Sequence, residues 1–309
     1  MLNYYKKLFL SYYPFLIPML LFCMLGVLLF WNGIIQVSIA NNAIRPTPMM
    51  LPQDSAYPVV EQTIPPVTAI AAAALDADSG IIFYKKNERL RLSPASTAKI
   101  MTALVALDYF KPENILTVHS VIDTQGSGLG LSRGQKLSFE QLLTGALVSS
   151  ANDAAYTIAE NYPGGVPAFV SKMNEKAKEL NLYNTHFADP AGLDDDDSFT
   201  SAEDLVRLSA IAMRHPLFAQ IVNTQQTTVS TIDHQLVAPI KNRNILLGTY
   251  GINGVKTGYT EGAGEVLSSS MDINGHRIYT VVMKSRDRFD DTLTLVQYLR
   301  ENLKSKTDF

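Results

Sequence analysis

Residues 92–103 read LSPASTAKIMTA, and they constrain fold and chemistry more than any other stretch of this 309-residue chain. Pro94 is followed by apolar residues at helical spacing up to Phe110, which predicts a helix. Ser96 and Lys99 stand three residues apart, so their side chains share one face of that helix. A buried lysine near a helix N-terminus has a lowered pKa and can take the proton of a neighbouring serine. By itself, the pair also fits a helix-capping serine followed by a solvated lysine.

Two further short motifs follow along the chain. Residues 150–152 read Ser-Ala-Asn just past an apolar helical run, where a hydroxyl and an amide can point into one cleft. Residues 256–258 read Lys-Thr-Gly, and on an edge strand this combination suits a carboxylate bound against exposed backbone. Each motif alone is weak, because Ser and Asn are common at helix ends and a lysine near a turn is usually solvated.

In this order, SxxK, SxN and KTG form the motif set of the penicillin-recognising serine enzymes. On these residues the sequence resembles the D-alanyl-D-alanine carboxypeptidase family, the low-molecular-mass penicillin-binding proteins. The resemblance includes the flanks of the first motif, residues 126–131 (GSGLGL), residues 147–155 (LVSSANDAA) and the block 186–193 (HFADPAGL). It covers about residues 67–309.

The resemblance implies a serine-type acyl transfer. Ser96 is expected to be the nucleophile and Lys99 its base, with Ser150 as the third catalytic residue on the opposite wall of the cleft. The hydroxyl of Ser96 would attack a D-alanyl carbonyl of a peptidoglycan stem peptide, and water would release the acyl-enzyme. β-Lactam antibiotics would be covalent inhibitors, and neither a metal nor a cofactor is implied.

The remaining motif residues are expected to bind the substrate. The resemblance places Asn152 on the wall of the cleft, and assigns Lys256 and Thr257 to the terminal carboxylate. Gly258 would let the substrate approach closely. The backbone N–H of Tyr259, together with that of Ser96, would form the oxyanion hole.

The pattern of strands and helices predicts an α+β fold with an antiparallel sheet formed from both chain ends and a helical subdomain between them. This agrees with the β-lactamase/transpeptidase-like domain that the resemblance implies. Asn274-Gly275 separates two strand-like runs, which is a strong hairpin signal. Capping boxes are predicted at residues 138–141 and 200–203. The strand and helix predictions cover residues 67–75, 81–84, 95–110, 138–149, 152–161, 168–180, 200–215, 264–272, 277–284 and 288–303.

The N-terminal fifth is expected to serve attachment rather than catalysis. Residues 1–7 form a short tail with two lysines, and residues 8–31 are uncharged and long enough for a transmembrane helix. A long signal peptide is the alternative, because Ser38-Ile39-Ala40 resembles a cleavage site. Residues 32–66 are rich in proline and form a linker to the catalytic domain at 67–309. The sequence thus predicts a single-pass inner-membrane protein with an extracytoplasmic, periplasmic domain, or a secreted one after cleavage.

Composition excludes several other classes of protein. The formal net charge of −3 gives no footprint for nucleic acid. Cys23 is the only cysteine, so a disulfide scaffold or a cysteine-based zinc site is excluded.

Two other candidate sites are weaker than the three motifs. The aspartate run 194–197 lacks calcium-loop spacing and favours a solvated loop. Ser132 fits the GxSxG pattern but lies among loop glycines, which indicates a turn residue.

Two departures from the family pattern are expected to matter. Many members carry a C-terminal β-rich domain and an amphipathic anchor, and we expect this chain to lack both. Residues 198–200 (Ser-Phe-Thr) stand where members often have a histidine.

Three alternatives to a carboxypeptidase remain open. A peptidoglycan DD-endopeptidase would use the same residues. A class A β-lactamase is less well supported, because Ala177 stands where its glutamate would precede a Leu-Asn pair. An inactive penicillin-binding scaffold is disfavoured by the intact motifs.

Overall fold

The computed structural model describes residues 65–121 and 126–303. The predicted tail at 1–7 and the predicted transmembrane segment at 8–31 lie outside these ranges, as does the linker apart from Pro65 and Pro66. Within the described ranges, no helix has the length and apolar character needed to cross a membrane.

An antiparallel sheet of five strands organises the described residues, in the order β2-β1-β9-β8-β7. Two short antiparallel pairs, β3 with β4 and β5 with β6, lie apart from it. The strands are β1 (Ala71–Asp76), β2 (Ile82–Lys86), β3 (Ile115–Thr117), β4 (Lys136–Ser138), β5 (Gln226–Ser230), β6 (Val237–Lys241), β7 (Val255–Thr260), β8 (Gly264–Ile273) and β9 (His276–Ser285).

Most helices lie between β2 and β7 in the chain. A 3₁₀ turn, Ala95–Ala98, runs into the first of them, and a π-helical turn, Gly145–Ser149, extends the second. The helices are α1 (Lys99–Tyr109), α2 (Phe139–Thr144), α3 (Asn152–Glu160), α4 (Gly165–Glu179), α5 (Ala202–Ala212), α6 (Pro216–Val222) and α7 (Arg288–Asn302). The prediction of an α+β domain whose sheet joins both chain ends is confirmed.

The sheet is covered on both faces, and β1 shows why its sequence suits that position. All six residues of Ala71–Asp76 are buried. Side chains alternate between the faces of a strand, and here Ala71 and Ala73 join the larger core while Ala72 and Ala74 join the core that contains α7. Small side chains on both faces allow helices to pack closely on a central strand.

Local sequence signals are mostly confirmed. Asn274 and Gly275 both have positive φ, 50° and 83°, as the tight turn between β8 and β9 requires. Ser138 caps α2 by accepting from the Gln141 N–H at 3.2 Å. The second predicted capping box is wrong by one residue, because Ser201 rather than Thr200 caps α5, accepting from Asp204 N–H at 3.1 Å.

Asp291 ties the two ends of the domain together. Its carboxylate accepts from the backbone N–H groups of Thr68 at 2.6 Å and Ala69 at 2.7 Å. The hydroxyls of Thr68 and Ser285 donate to the same group. Asp291 is 2% exposed, so these donors have no ready replacement from water.

Replacing Asp291 with alanine should lower the free energy of unfolding by about 2–4 kcal/mol, because the buried N–H of Ala69 and the half-buried N–H of Thr68 lose their acceptor. Urea unfolding followed by circular dichroism measures the change. Asp290→Ala is the matched control, since Asp290 is exposed on the same helical turn. Equal losses in both variants would contradict a specific role for Asp291.

Candidate active site

The 3₁₀ turn before α1 presents Ser96 at the edge of a cleft. Ala95 has φ of 46°, a value that residues with a side chain rarely adopt. Gly192 packs against this residue so closely that a Cβ at position 192 would lie 1.9 Å from the Ala95 carbonyl oxygen. The conformation of the turn therefore depends on tertiary contact.

Lys99 Nζ has three partners, which come from three separate segments. It lies 2.9 Å from Ser96 Oγ, 2.7 Å from Asn152 Oδ1 and 2.7 Å from the Ala191 carbonyl oxygen. The amide and carbonyl oxygens can only accept. A neutral amine has two N–H groups and one lone pair, so when both N–H groups serve these acceptors the lone pair faces Ser96.

The electrostatic environment favours that neutral amine. Lys99 is 1% exposed, and burial lowers its pKa to about 7, against the opposing charges of Asp189 and Asp153. Near neutral pH the Lys99 amine is therefore neutral, and able to accept a proton, in a large fraction of the molecules.

Ser150 lies at the end of the π-helical turn in a left-handed conformation, with φ of 65°. Its Oγ lies 2.9 Å from Lys256 Nζ, which also donates to the Thr257 carbonyl oxygen at 2.9 Å. Because the Ser150 oxygen accepts from Lys256, its own hydrogen is free to point into the cleft. Burial, and then the charge of Lys99, lower the pKa of Lys256 well below its ordinary value.

Asp153 fixes the loop that faces Ser150. Its carboxylate accepts from the backbone N–H groups of Leu129, Gly130 and Leu131, at 2.9 to 3.1 Å. The N–H of its neighbour Asn152 donates to the Ser127 carbonyl oxygen at 2.8 Å. The likeness noted at 126–131 thus has a structural basis, because this loop borders the cleft.

Gly258 brings β7 against the turn that carries Ser96. A Cβ at this position would lie 3.0 Å from Ala95 Cβ and 3.2 Å from both the Pro94 carbonyl oxygen and Ser96 N. The sequence predicts that a glycine here makes room for substrate. In the structure, the absence of a side chain also lets the protein's own backbone approach closely.

The cleft has a volume of about 410 Å³ and contains two arginines that the motifs do not include. Arg288 Nη1 donates to the Gly258 carbonyl oxygen at 2.9 Å. Arg243 donates to Ser127 Oγ at 3.2 Å and to the Ser149 carbonyl oxygen at 3.3 Å. No spacing rule connects these arginines with the three motifs, and only the fold brings them together. Ser96, Ser150, Asn152, Thr257, Gly258 and Tyr259 also line the cleft.

The weaker sequence candidates lie apart from this cluster. Ser132 is exposed in a turn, where its N–H donates to Gln135 Oε1. The side chains of residues 194–197 are all exposed. Ser198 Oγ accepts from Ala188 N–H, which is a contact within the loop.

Comparison with known proteins gives the family. A sequence profile described as D-alanyl-D-alanine carboxypeptidase matches residues 59–287. The chain belongs to this family. It is 34% identical to D-alanyl-D-alanine carboxypeptidase DacF of Bacillus subtilis over 222 residues, which cover 69% of this chain and 57% of that protein. The chain thus spans little more than half the length of DacF.

Other family members are similarly close. The D-alanyl-D-alanine endopeptidase of Pseudomonas aeruginosa is 34% identical, over 71% of this chain and 72% of that protein. The crystal structure of a DD-transpeptidase of Streptomyces superposes with a TM-score of 0.72 and 30% identity, over 76% of this chain and 98% of that chain. The β-lactamase/transpeptidase-like fold predicted from the sequence is therefore confirmed.

The lowered pKa of Lys99 predicts how acylation of this family member depends on pH. If the neutral Lys99 amine acts as the base, as the sequence predicts, acylation by a fluorescent penicillin should rise with pH and reach half its maximum near pH 7. Rapid-quench labelling between pH 5 and 9 measures this, with Ser96→Ala as the unlabelled control. A labelling rate that stayed constant over this range would contradict the assignment of Lys99.

Proposed function

We propose that this protein is a serine-type D-Ala-D-Ala carboxypeptidase that acts on peptidoglycan stem peptides through an acyl-enzyme on Ser96. The observation that carries the proposal is the 2.9 Å contact between Ser96 Oγ and Nζ of the buried Lys99. We infer that the lone pair of a neutral amine faces the hydroxyl, because the other two partners of Nζ can only accept. The contact supplies an activated nucleophile near neutral pH without a histidine.

The proposed reaction begins when Ser96 Oγ bonds to the carbonyl carbon of the penultimate D-alanine while its proton passes to Lys99 Nζ. The backbone N–H groups of Ser96 and Tyr259 stabilise the oxygen that becomes negative. Ser150 donates its free hydrogen to the nitrogen of the departing D-alanine, and Lys256 restores that proton. Water then adds to the ester carbon and passes a proton through Ser150 to Lys256. The bond between that carbon and Ser96 Oγ breaks as Lys99 returns its proton to Oγ, which releases the shortened peptide.

Arg288 and Thr257 are proposed to hold the terminal carboxylate. Lys256 is 2% exposed and both of its partners belong to the protein, so in this proposal it supports Ser150 rather than carrying the main positive charge. The Arg288 guanidinium lines the cleft, and although burial lowers its pKa, a guanidinium stays protonated near neutral pH.

Replacing Arg288 with glutamine should therefore lower kcat/KM for peptides with a free terminal carboxylate by roughly 10- to 100-fold, the equivalent of about 1.5–3 kcal/mol. Peptides amidated at that end should lose much less. Arg300→Gln is the control, because Arg300 lies on the same helix and contacts the Tyr250 carbonyl oxygen instead. Equal losses on both substrates would assign Arg288 a purely structural role.

The penicillin adduct of this protein should persist for minutes or longer, because Ala177 stands at the position compared with the β-lactamase glutamate that drives release. Each tenfold slowing of adduct hydrolysis corresponds to about 1.4 kcal/mol of additional barrier. Ala177 lies on α4 and is buried in the hydrophobic core of the domain. The carboxylate of Glu265 lines the cleft, but it accepts from Arg288 N–H at 2.9 Å. Loss of a fluorescent penicillin adduct is followed after excess label is removed. Release within a second, with repeated turnover, would indicate a β-lactamase.

A DD-endopeptidase is the second candidate. The specific support is the Pseudomonas protein with that name, which matches at 34% identity over 72% of its own length. Incubation of the full chain with monomeric and cross-linked muropeptides, with products identified by mass, separates the two activities. Loss of one alanine from monomers supports the carboxypeptidase, cleavage of dimers supports the endopeptidase, and no product from either opposes both.

We further propose that residues 8–31 anchor the protein in the inner membrane, with the catalytic domain outside the cytoplasm. The support is the uncharged apolar run after Lys6 and Lys7. Protease digestion of spheroplasts should remove the catalytic domain and leave a short membrane-bound fragment. Full protection of the domain would contradict this orientation.

A further inference from the structure

A single carboxylate shapes the turn at residues 189–193. Asp189 Oδ1 accepts from the backbone N–H groups of Ala191 at 2.6 Å and Gly192 at 2.8 Å, and its Oδ2 accepts from Leu193 N–H at 3.1 Å. Burial raises the pKa of Asp189, and the three N–H groups and the charge of Lys99 oppose that rise. An ionised carboxylate, which only accepts, matches three converging donors. The path of the backbone from Ala191 to Leu193 therefore follows the position of Asp189.

This turn is one wall of the pocket around Lys99. The Ala191 carbonyl oxygen accepts from Lys99 Nζ, and the adjacent Gly192 packs on Ala95 beside the nucleophile. On the other side, Thr102 Oγ1 donates to the Pro190 carbonyl oxygen at 2.6 Å. A displacement of the turn would move an acceptor that directs one N–H of the amine.

We propose that Asp189 is a positioning residue for the base. Its carboxylate holds the Ala191 carbonyl oxygen against Lys99 Nζ, so that the lone pair of the neutral amine faces Ser96 Oγ, and its negative charge offsets the burial of Lys99. This inference rests on the proposed function, in which Lys99 is the base.

The charges around Lys99 and Asp189 determine the direction in which the Lys99 pKa should shift when Asp189 is replaced. Lys99 is faced by Asp189 from the turn, by Asp153 from α3 and by Lys256 from β7. Tyr156 of α3 faces Asp189. The two carboxylates oppose the lowering of the Lys99 pKa by burial, so removal of the Asp189 charge lowers that pKa further. The amine then becomes neutral at lower pH.

The test is Asp189→Asn in the full chain, which removes the charge but retains a carbonyl acceptor. The half-maximal pH for acylation by a fluorescent penicillin should fall by about one unit. The maximal rate should fall about tenfold, because the amine is less well oriented and less basic. Asp189→Ser replaces this variant if it does not fold, since a serine hydroxyl can still accept in a turn.

Thr102→Val is the matched control. It removes the hydroxyl that holds Pro190 in the same turn and changes no charge, so the half-maximal pH should stay where it is in the wild type. Thermal unfolding checks that the variants are folded. If the wild type is acylated, two results would overturn the role of Asp189. One is an unchanged half-maximal pH in Asp189→Asn, and the other is an equal shift of the half-maximal pH in Thr102→Val. A wild type that is not acylated would overturn the proposed function itself.

Discussion

The burial of the Lys99 amine is the constraint on which the rest of the site depends. Removing such a group from water is costly unless polar partners replace the solvent. Here the partners are Ser96, Asn152 and the Ala191 carbonyl oxygen, which belong to segments far apart in the chain. The site is therefore complete only when the 3₁₀ turn, the start of α3 and the turn at 189–193 are all in place.

Close backbone contacts hold these segments at the required distances. Gly258 and Gly192 approach the turn around Ala95 from two sides, and a side chain at either position would push the turn away. Asp153 and Asp189 stabilise the loops on the two walls of the cleft through backbone N–H groups. Packing and carboxylate-held turns thus perform the same task, which is to fix atoms around one amine.

The cations of the cleft divide into two kinds. The two lysines are buried, and burial lowers the pKa of both, which suits them to proton transfer. The other two are the guanidiniums of Arg243 and Arg288, whose planar, multiple N–H donors suit an anionic group of a ligand. This division explains how a cleft with several basic side chains can support both base chemistry and, as proposed, carboxylate recognition.

The sequence by itself determined the motifs, the α+β class and the strongest local signals, because these depend on short-range geometry. The Asn274-Gly275 turn and the Ser138 cap need only their neighbours in the chain. The pairing of β3 with β4 and the positions of the cleft arginines were decided by tertiary structure, since the two strands have only three residues each and the partners of the arginines are remote in the chain. The Ser201 cap escaped prediction because Thr200 pairs with distant Leu92. The lowered pKa of Lys99 likewise requires burial, which residue spacing can suggest and only packing can produce.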